Sequence, residues 1–364
     1  MSSDASKGRV SEVFAAFLKL GLTSFGGPIA HLGYFRDELV LRRKWLDEAA
    51  YADLVALCQF LPGPASSQVG FSLVILRGNG LLGGLAAWFA FTMPSALILF
   101  AFAMGAAAFT GSIAEGFLHG LKLVAVAVVA QAIWGMSRTL TPDRTRAGIA
   151  LAAIAIVVFF TGSFGQIAAI VLGACAGLWL CRGEVAPVSG HLNFPVSRRA
   201  GFIALVLFAA LLLITPVVVT ATGSQTLALF DAFYRSGALV FGGGHVVLPL
   251  LQAEVVTPGW VSSEAFLAGY GLAQAVPGPL FTFAAYLGAV MGPPPNGPAG
   301  ATIALVALLL PGMLLVYGTL PFWDALRTRP AAQAAMRGAN AAVVGILERF
   351  PLDMGHYAYP ACRK

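Results

Sequence analysis

Phe17-Leu18-Lys19-Leu20-Gly21-Leu22-Thr23-Ser24-Phe25-Gly26-Gly27 recurs 216 positions on as Phe233-Tyr234-Arg235-Ser236-Gly237-Ala238-Leu239-Val240-Phe241-Gly242-Gly243. Five of the eleven positions are identical, and a basic residue is kept at Lys19 and Arg235. Downstream, Trp45 falls on Trp260, Gln59 on Gln274 and Pro62-Gly63-Pro64 on Pro277-Gly278-Pro279; Pro94 then meets Pro311, and His119-Gly120 meets Arg337-Gly338. An ordered series of this kind marks an internal duplication. It divides the chain into a first repeat over 12–140, connecting transmembrane helices and a linker over 141–227, a second repeat over 228–347 and a polar tail over 348–364.

The solvent for these repeats follows from composition. Of 364 residues, 58% are hydrophobic and only 10% charged, with a mean hydropathy of +0.83. Soluble domains run near 25% charged, so this chain reads as a multi-pass membrane protein. The net charge of +6 sits in short loops between apolar runs, which sets orientation in a bilayer and gives no reason to expect nucleic acid. Cys58, Cys175, Cys181 and Cys362 show no metal-ligand spacing, and no metal or cofactor is expected. The first residues carry charge without the short apolar core and cleavage site of a signal peptide, so none is expected.

Stretches long enough to span lie at 81–108, 113–137, 200–222 and 300–321, and 147–181 reads as a helix pair with a turn at 161–165. Four other segments are broken: 14–35 by Phe25-Gly26-Gly27-Pro28, 48–76 by Pro62-Gly63-Pro64, 228–250 by Gly242-Gly243-Gly244 and 263–290 by Pro277-Gly278-Pro279. Glycine and proline remove helix hydrogen bonds that hydrocarbon cannot replace, so each break must be shielded by protein or line a polar cavity. The loop from Arg36 to Trp45 holds Arg36, Arg42, Arg43 and Lys44, whereas its repeat partner, Gln252 to Trp260, holds only Glu254. Treating each broken segment as a re-entrant hairpin puts these basic residues and Lys7, Arg9, Arg77, Arg138, Arg144, Arg146, Arg182, Arg198, Arg199, Arg327 and Arg329 on the cytoplasmic side. The expected fold is an all-α polytopic membrane protein of two homologous, inverted repeats with Gly/Pro-broken re-entrant half-helices. Counting the segments as full spans instead puts the 138–146 cluster outside.

Half-helices that end at mid-membrane aim free N–H groups and positive dipole ends at a common point, which suits an anion. Candidate substrate-binding residues are Lys19, Ser24, Gly26, Gly27, Gln59, Pro62, Gly63 and Ser66, with Arg235, Gly242, Gly243, Gln274, Pro277 and Gly278 in the second repeat. Thr23, Ser67, Gln68 and Thr282 flank the same breaks and can bond oxyanion oxygens or cap half-helices. Lys19 and Arg235 have two readings: counter-charges for a divalent anion, or snorkelling cations near segment ends. His31 and His245 lie beside the glycine breaks, where proton coupling competes with a plain structural role. Glu115 and Asp231 read as interfacial, with an acidic proton relay as the alternative.

No GxSxG, HExxH or Walker A pattern is present, so the chain is not expected to be an enzyme and any uphill transport must draw on an ion gradient. The doubled motifs Phe25-Gly26-Gly27-Pro28-Ile29-Ala30-His31, Arg42-Arg43-Lys44-Trp45 and Gln59-Phe60-Leu61-Pro62-Gly63-Pro64 resemble the chromate transporter family in its long, two-domain form. Phe241-Gly242-Gly243-Gly244-His245 and Gln274-Ala275-Val276-Pro277-Gly278-Pro279 carry the second half of that resemblance. It covers residues 12–346. It implies a bacterial inner-membrane secondary transporter that exports chromate, driven by the membrane potential or a proton gradient, and confers chromate resistance. Sulfate, a tetrahedral dianion of nearly the same shape, is the rival substrate or competitor. A passive anion channel and a membrane-embedded oxyanion-processing enzyme are the other readings, and a homodimer is left open. The resemblance also implies further apolar sequence after Ile346, where this chain instead has the polar Glu348–Lys364 tail, read as a natural or a shortened end.

Overall fold

A computed structural model describes residues 9–105, 112–160, 163–182, 194–241, 244–323, 325 and 329–358. The described residues are helical or irregular, without a strand, as an all-α membrane protein requires: in hydrocarbon a helix satisfies its own backbone.

The first repeat runs α1 (Val10–Thr23), α2 (Gly27–Phe35, continued as a wider π turn through Arg36–Arg42), α3 (Glu48–Phe60), α4 (Ala65–Val74), α5 (Gly80–Gly105) and α6 (Ser112–Leu140). Helices α7 (Arg144–Phe159), α8 (Ser163–Leu180) and α9 (Arg198–Thr222) connect it to the second. There α10 (Gln225–Ala238), α11 (Val247–Leu251, continued as a π turn through Gln252–Val256), α12 (Ser263–Ala275), α13 (Phe283–Val290), α14 (Gly297–Thr319) and α15 (Pro330–Ala358) repeat the same order. Local devices recur as well. Asp47 caps α3 by accepting from the Ala50 N–H at 2.8 Å, and Ser262, 215 positions on, caps α12 through the Ala265 N–H at 3.2 Å. Each cap satisfies one orphan N–H and sets the first turn. Pro94 and Pro311 sit inside unbroken α5 and α14. Helix α15 continues across the 347/348 boundary drawn from composition.

In each repeat the first four helices form two antiparallel hairpins. Glu12 at the start of α1 meets Arg43, just past the π turn, at 3.5 Å, so the two arms of the first hairpin open at the same end. Glu12 also meets Arg77 at 3.2 Å, and the Arg77 guanidinium lies 3.9 Å over the Trp45 ring. The α3–α4 hairpin therefore opens at that end too. Its counterpart closes its open end with the Gly292 N–H donating to the Trp260 carbonyl at 2.9 Å, at the positions equivalent to Arg77 and Trp45.

The long helices weld the repeats together. Helix α5 packs on α1 of its own half and on α13 of the other, and α14 packs on α10 and α4. Among the described residues, four helical stretches are long and apolar enough to cross a bilayer: Ala65–Gly105, His119–Leu140, Arg198–Thr222 and Gly297–Phe322. The outer face is apolar, with Phe159 81%, Trp179 79% and Leu213 69% exposed. Water would not tolerate such a surface; lipid requires it.

Candidate functional site: the meeting of four hairpin tips

The tips of the four hairpins converge inside the molecule. At the first, α1 ends on Ser24, and Gly26 and Gly27 at φ +94° and +79° turn the chain into α2, with Pro28 in its first turn. The second and fourth are the Pro-Gly-Pro turns, with Gly63 at φ +120° and Gly278 at φ +104°. L side chains rarely adopt such angles, and glycine adopts them freely. The third lies between α10 and α11.

Each Pro-Gly-Pro turn docks on the other repeat. The Gly63 N–H donates to the Val240 carbonyl at 2.7 Å, and the Gly278 N–H donates to the Ser24 carbonyl at 2.8 Å. With the repeat offset, these are one bond made twice. The surroundings match: a Cβ on Gly63 would lie 3.0 Å from the Gly312 Cα, and one on Gly278 would lie 2.7 Å from the Ser95 Oγ. Gly312 and Ser95 each follow the proline of α14 and α5. The Gln68 side chain ties this junction further, donating through Nε2 to the Pro62 carbonyl at 2.9 Å and the Gly312 carbonyl at 3.0 Å.

Polar groups gather on the first-repeat side. Ser24, His31, Ser66, Ser67, Gln68, Ser72, Thr92 and Ser95 are all buried, none above 2% exposure. The His31 Nδ1 lies 3.4 Å from the Ser66 Oγ, with the ring edge-on to Phe91. The Ser24 Oγ, Ser67 Oγ, Thr92 Oγ1 and Gln68 Oε1 have no protein partner. A buried polar group left unpaired costs about 1–3 kcal/mol, so a cluster of them calls for water or a ligand. The three hydroxyls can donate to an oxyanion, whereas the Gln68 Oε1 only accepts and suits a water. The second repeat does not copy this lining: Val240, Val247, Phe281, Phe283 and Leu309 stand where the first has Ser24, His31, Ser66, Gln68 and Thr92.

The expected site residues distribute unevenly around this junction. Ser24, Pro62, Gly63, Ser66, Pro277 and Gly278 lie at it; Gly26 and Gly27 form its first tip. Gln59 is exposed on α3, and Gln274 is half-buried on α12. Gly242 and Gly243 fall outside the described residues. His245 donates to or accepts from the Tyr270 hydroxyl at 2.8 Å; by the repeat offset it matches Ile29, not His31. Glu115 has a backbone position in α6 but no described side chain. Asp231 is buried and pairs with Arg235 at 2.8 Å.

Lys19 and Arg235 stand in ion pairs. The Lys19 Nζ lies 3.0 Å from the Glu38 Oε2, and the Arg235 Nη2 lies 3.1 Å from the Glu254 Oε2. Glu38 and Glu254 are themselves 216 apart, so the pair was duplicated whole. Glu38 also accepts from Arg42 and, at 2.8 Å, from Arg43. Burial alone would raise its carboxyl pKa, but hydrogen bonds from Arg42, Arg43 and Lys19 overcome that and hold it at about 2. The sequence reading did not single out Glu38, Thr92 or Ser95. The signals were an acid repeated at the offset of Lys19 and Arg235, and two hydroxyls flanking Pro94 in an apolar run.

Comparison with known proteins identifies the architecture. The family model described as chromate transporter matches residues 11–178 and 227–360, one segment over each set of hairpins. The chain belongs to the chromate transporter family. The chromate transport protein of Pseudomonas aeruginosa is 28% identical over 348 residues, covering 94% of this chain and 80% of that protein. The chromate transport protein of Cupriavidus metallidurans is 26% identical over 340 residues, 91% of this chain and 79% of that one. A relative named uncharacterized transporter YwrB, from Bacillus subtilis, is 36% identical over 118 residues, 32% of this chain and 57% of its own. No solved structure matches the chain.

Proposed function

We propose that this protein is a secondary transporter that exports chromate across a bacterial inner membrane and so confers chromate resistance, with the oxyanion held at the junction of the four tips. The observation that carries the reading is the set of buried, partnerless hydroxyls of Ser24, Ser67 and Thr92 where two Pro-Gly-Pro turns cross between repeats. Chromate enters from the family and from the relatives' names; the tetrahedral dianion fits donors converging from several directions.

The hairpins are read as re-entrant and the repeats as inverted. Tip-to-tip bonds at Gly63–Val240 and Gly278–Ser24 support this, because hairpins that meet at their tips have open ends facing away from each other. The end that carries Arg43, Lys44 and Arg77 is then cytoplasmic by its basic loops, and the two domains are the halves drawn at 12–140 and 228–347. Such a site, at mid-membrane between broken helices, is open to alternating access. The chain carries no nucleotide-binding motif, so the driving force is the membrane potential or proton gradient.

The test is chromate uptake into inside-out vesicles under an imposed gradient, with and without sulfate. Thr92→Val removes one orphan hydroxyl at constant shape. It should weaken chromate affinity roughly ten- to hundred-fold, the range for losing a hydrogen bond to a charged group, while leaving protein stability unchanged or slightly raised. Wild-type flux in both Thr92→Val and Ser24→Ala would refute the site. Collapse of uptake by equimolar sulfate would broaden the substrate to tetrahedral oxyanions.

A further inference from the structure

A groove of about 500 Å³ opens on the outer face between α7 and α8, far along the chain from the tip junction. Gly148, Ala152, Ile156, Ala169, Leu172 and Ala176 line it, and Arg144 stands at one end. From Arg144 to Ile156 the helix climbs about 18 Å at 1.5 Å per residue. That is close to one leaflet of a hydrocarbon core about 30 Å thick.

The charged end has the character of a headgroup site. Arg144 is exposed and pairs with no acid among the described residues, whereas its neighbour Arg146 is held by Asp143 at 2.6 Å. Arg182, just past the end of α8, is exposed at the same end and bonds the Leu178 carbonyl through Nε at 2.6 Å. Trp179 is 79% exposed beside them, and Trp134, 65% exposed, carries Arg138 stacked at 4.9 Å near the end of α6. Exposed tryptophan among arginines marks the membrane–water interface.

We propose that this groove binds one phospholipid with an anionic headgroup, an acyl chain lying between α7 and α8 and the phosphate at Arg144 and Arg182. Length, apolarity and the basic mouth all match that occupant. A second copy docked by two-fold symmetry would bring this face against itself, setting the cationic Arg144 and Arg182 near their own copies.

The experiment is native mass spectrometry of the detergent-purified full chain incubated with equimolar phosphatidylglycerol and phosphatidylcholine. The expected result is one phosphatidylglycerol per chain, favoured roughly thirty-fold from about five-fold for each arginine near an anionic headgroup. Arg144→Gln, at an exposed site, should cut that preference about five-fold. A Cβ added at Gly148 meets nothing within 4 Å, so Gly148→Phe should fold and abolish the adduct. Equal retention of the two lipids, an undiminished adduct in Gly148→Phe, or a dimer lost in Gly148→Phe would each overturn the proposal.

Discussion

Replacing Gly278 by alanine tests the crossed tips directly. Its φ of +104° is costly for any L side chain, about 1–3 kcal/mol. The new methyl would sit 2.7 Å from the Ser95 Oγ and 3.1 Å from the Ser95 Cβ, and both belong to α5, which is packed on α1, α4 and α13. Overpacking of that kind costs about 1–3 kcal/mol. Moving the turn away to relieve it stretches the 2.8 Å bond to the Ser24 carbonyl, worth about 1 kcal/mol net. The total is about 3–7 kcal/mol. Gly259 is the control: its φ is +79°, but a Cβ there meets nothing within 4 Å, so Gly259→Ala pays only the backbone part. SDS-induced unfolding in mixed micelles should separate the two variants by at least about 2 kcal/mol. Adding Ser95→Gly, the residue the second repeat has at the equivalent Gly312, should restore the overpacking part and leave the backbone part. Equal losses for Gly278→Ala and Gly259→Ala, or no rescue by Ser95→Gly, would refute the tip contact.

Three further outcomes follow from named contacts. Gln68→Leu removes the two bonds that its Nε2 donates to the Pro62 and Gly312 carbonyls, so it should cost about 1–3 kcal/mol at about 0.5–1.5 per bond, read by the same titration. Leu213→Asp, harmless at an exposed site in water, should cost about 2.5–3.5 kcal/mol at mid-membrane and deplete the protein from the membrane fraction, whereas Leu213→Phe should not. Glu38 binds its three cations only when ionised, and its pKa is lowered from 4.5 to about 2. Its contribution to stability is therefore present above pH 4.5 and fades as the pH falls toward 2. Glu38→Gln should remove that acid-sensitive component from a pH series of unfolding, and an unchanged series would remove Glu38 from the account.

The duplication and the helical membrane architecture were legible because both are written in period and composition. Glycine and proline at equivalent places mark the hairpin tips whatever packs around them, and apolar length marks the spans. The junction itself was only partly legible. That Gly63 meets Val240 and Gly278 meets Ser24 depends on how the halves cross, which local pattern does not encode. Thr92 and Ser95 were hidden inside an apolar run because a hydroxyl on a membrane helix usually bonds its own backbone, as the Ser95 Oγ does toward the Thr92 carbonyl, while the Thr92 hydroxyl is left over.

Lys19 and Arg235 show why duplicated charge was the weaker guide. A cation inside an apolar segment needs a partner, and sequence offers no way to tell a dianionic ligand from an acid two elements away. The arithmetic of the hairpin decides it. Lys19 lies five residues before Ser24, only about 8 Å along the helix from the tip, and its long stem reaches back toward the open end, where Glu38 waits with Arg42 and Arg43. On the proposed reading, the dianion then meets neutral donors at the tips while the fixed cations are neutralised at the rim. A carrier gains from that division. A dianion clamped by two unpaired cations in low dielectric would bind with an energy that no release step could recover, whereas hydroxyl and N–H donors worth about 1.5–3 kcal/mol each toward a charged group can hold it and let it go. The apolar replacements at Val240, Val247, Phe283 and Leu309 confine those donors to one half, so on the proposed reading the second repeat supplies the closing wall and its crossed N–H rather than a second copy of the site.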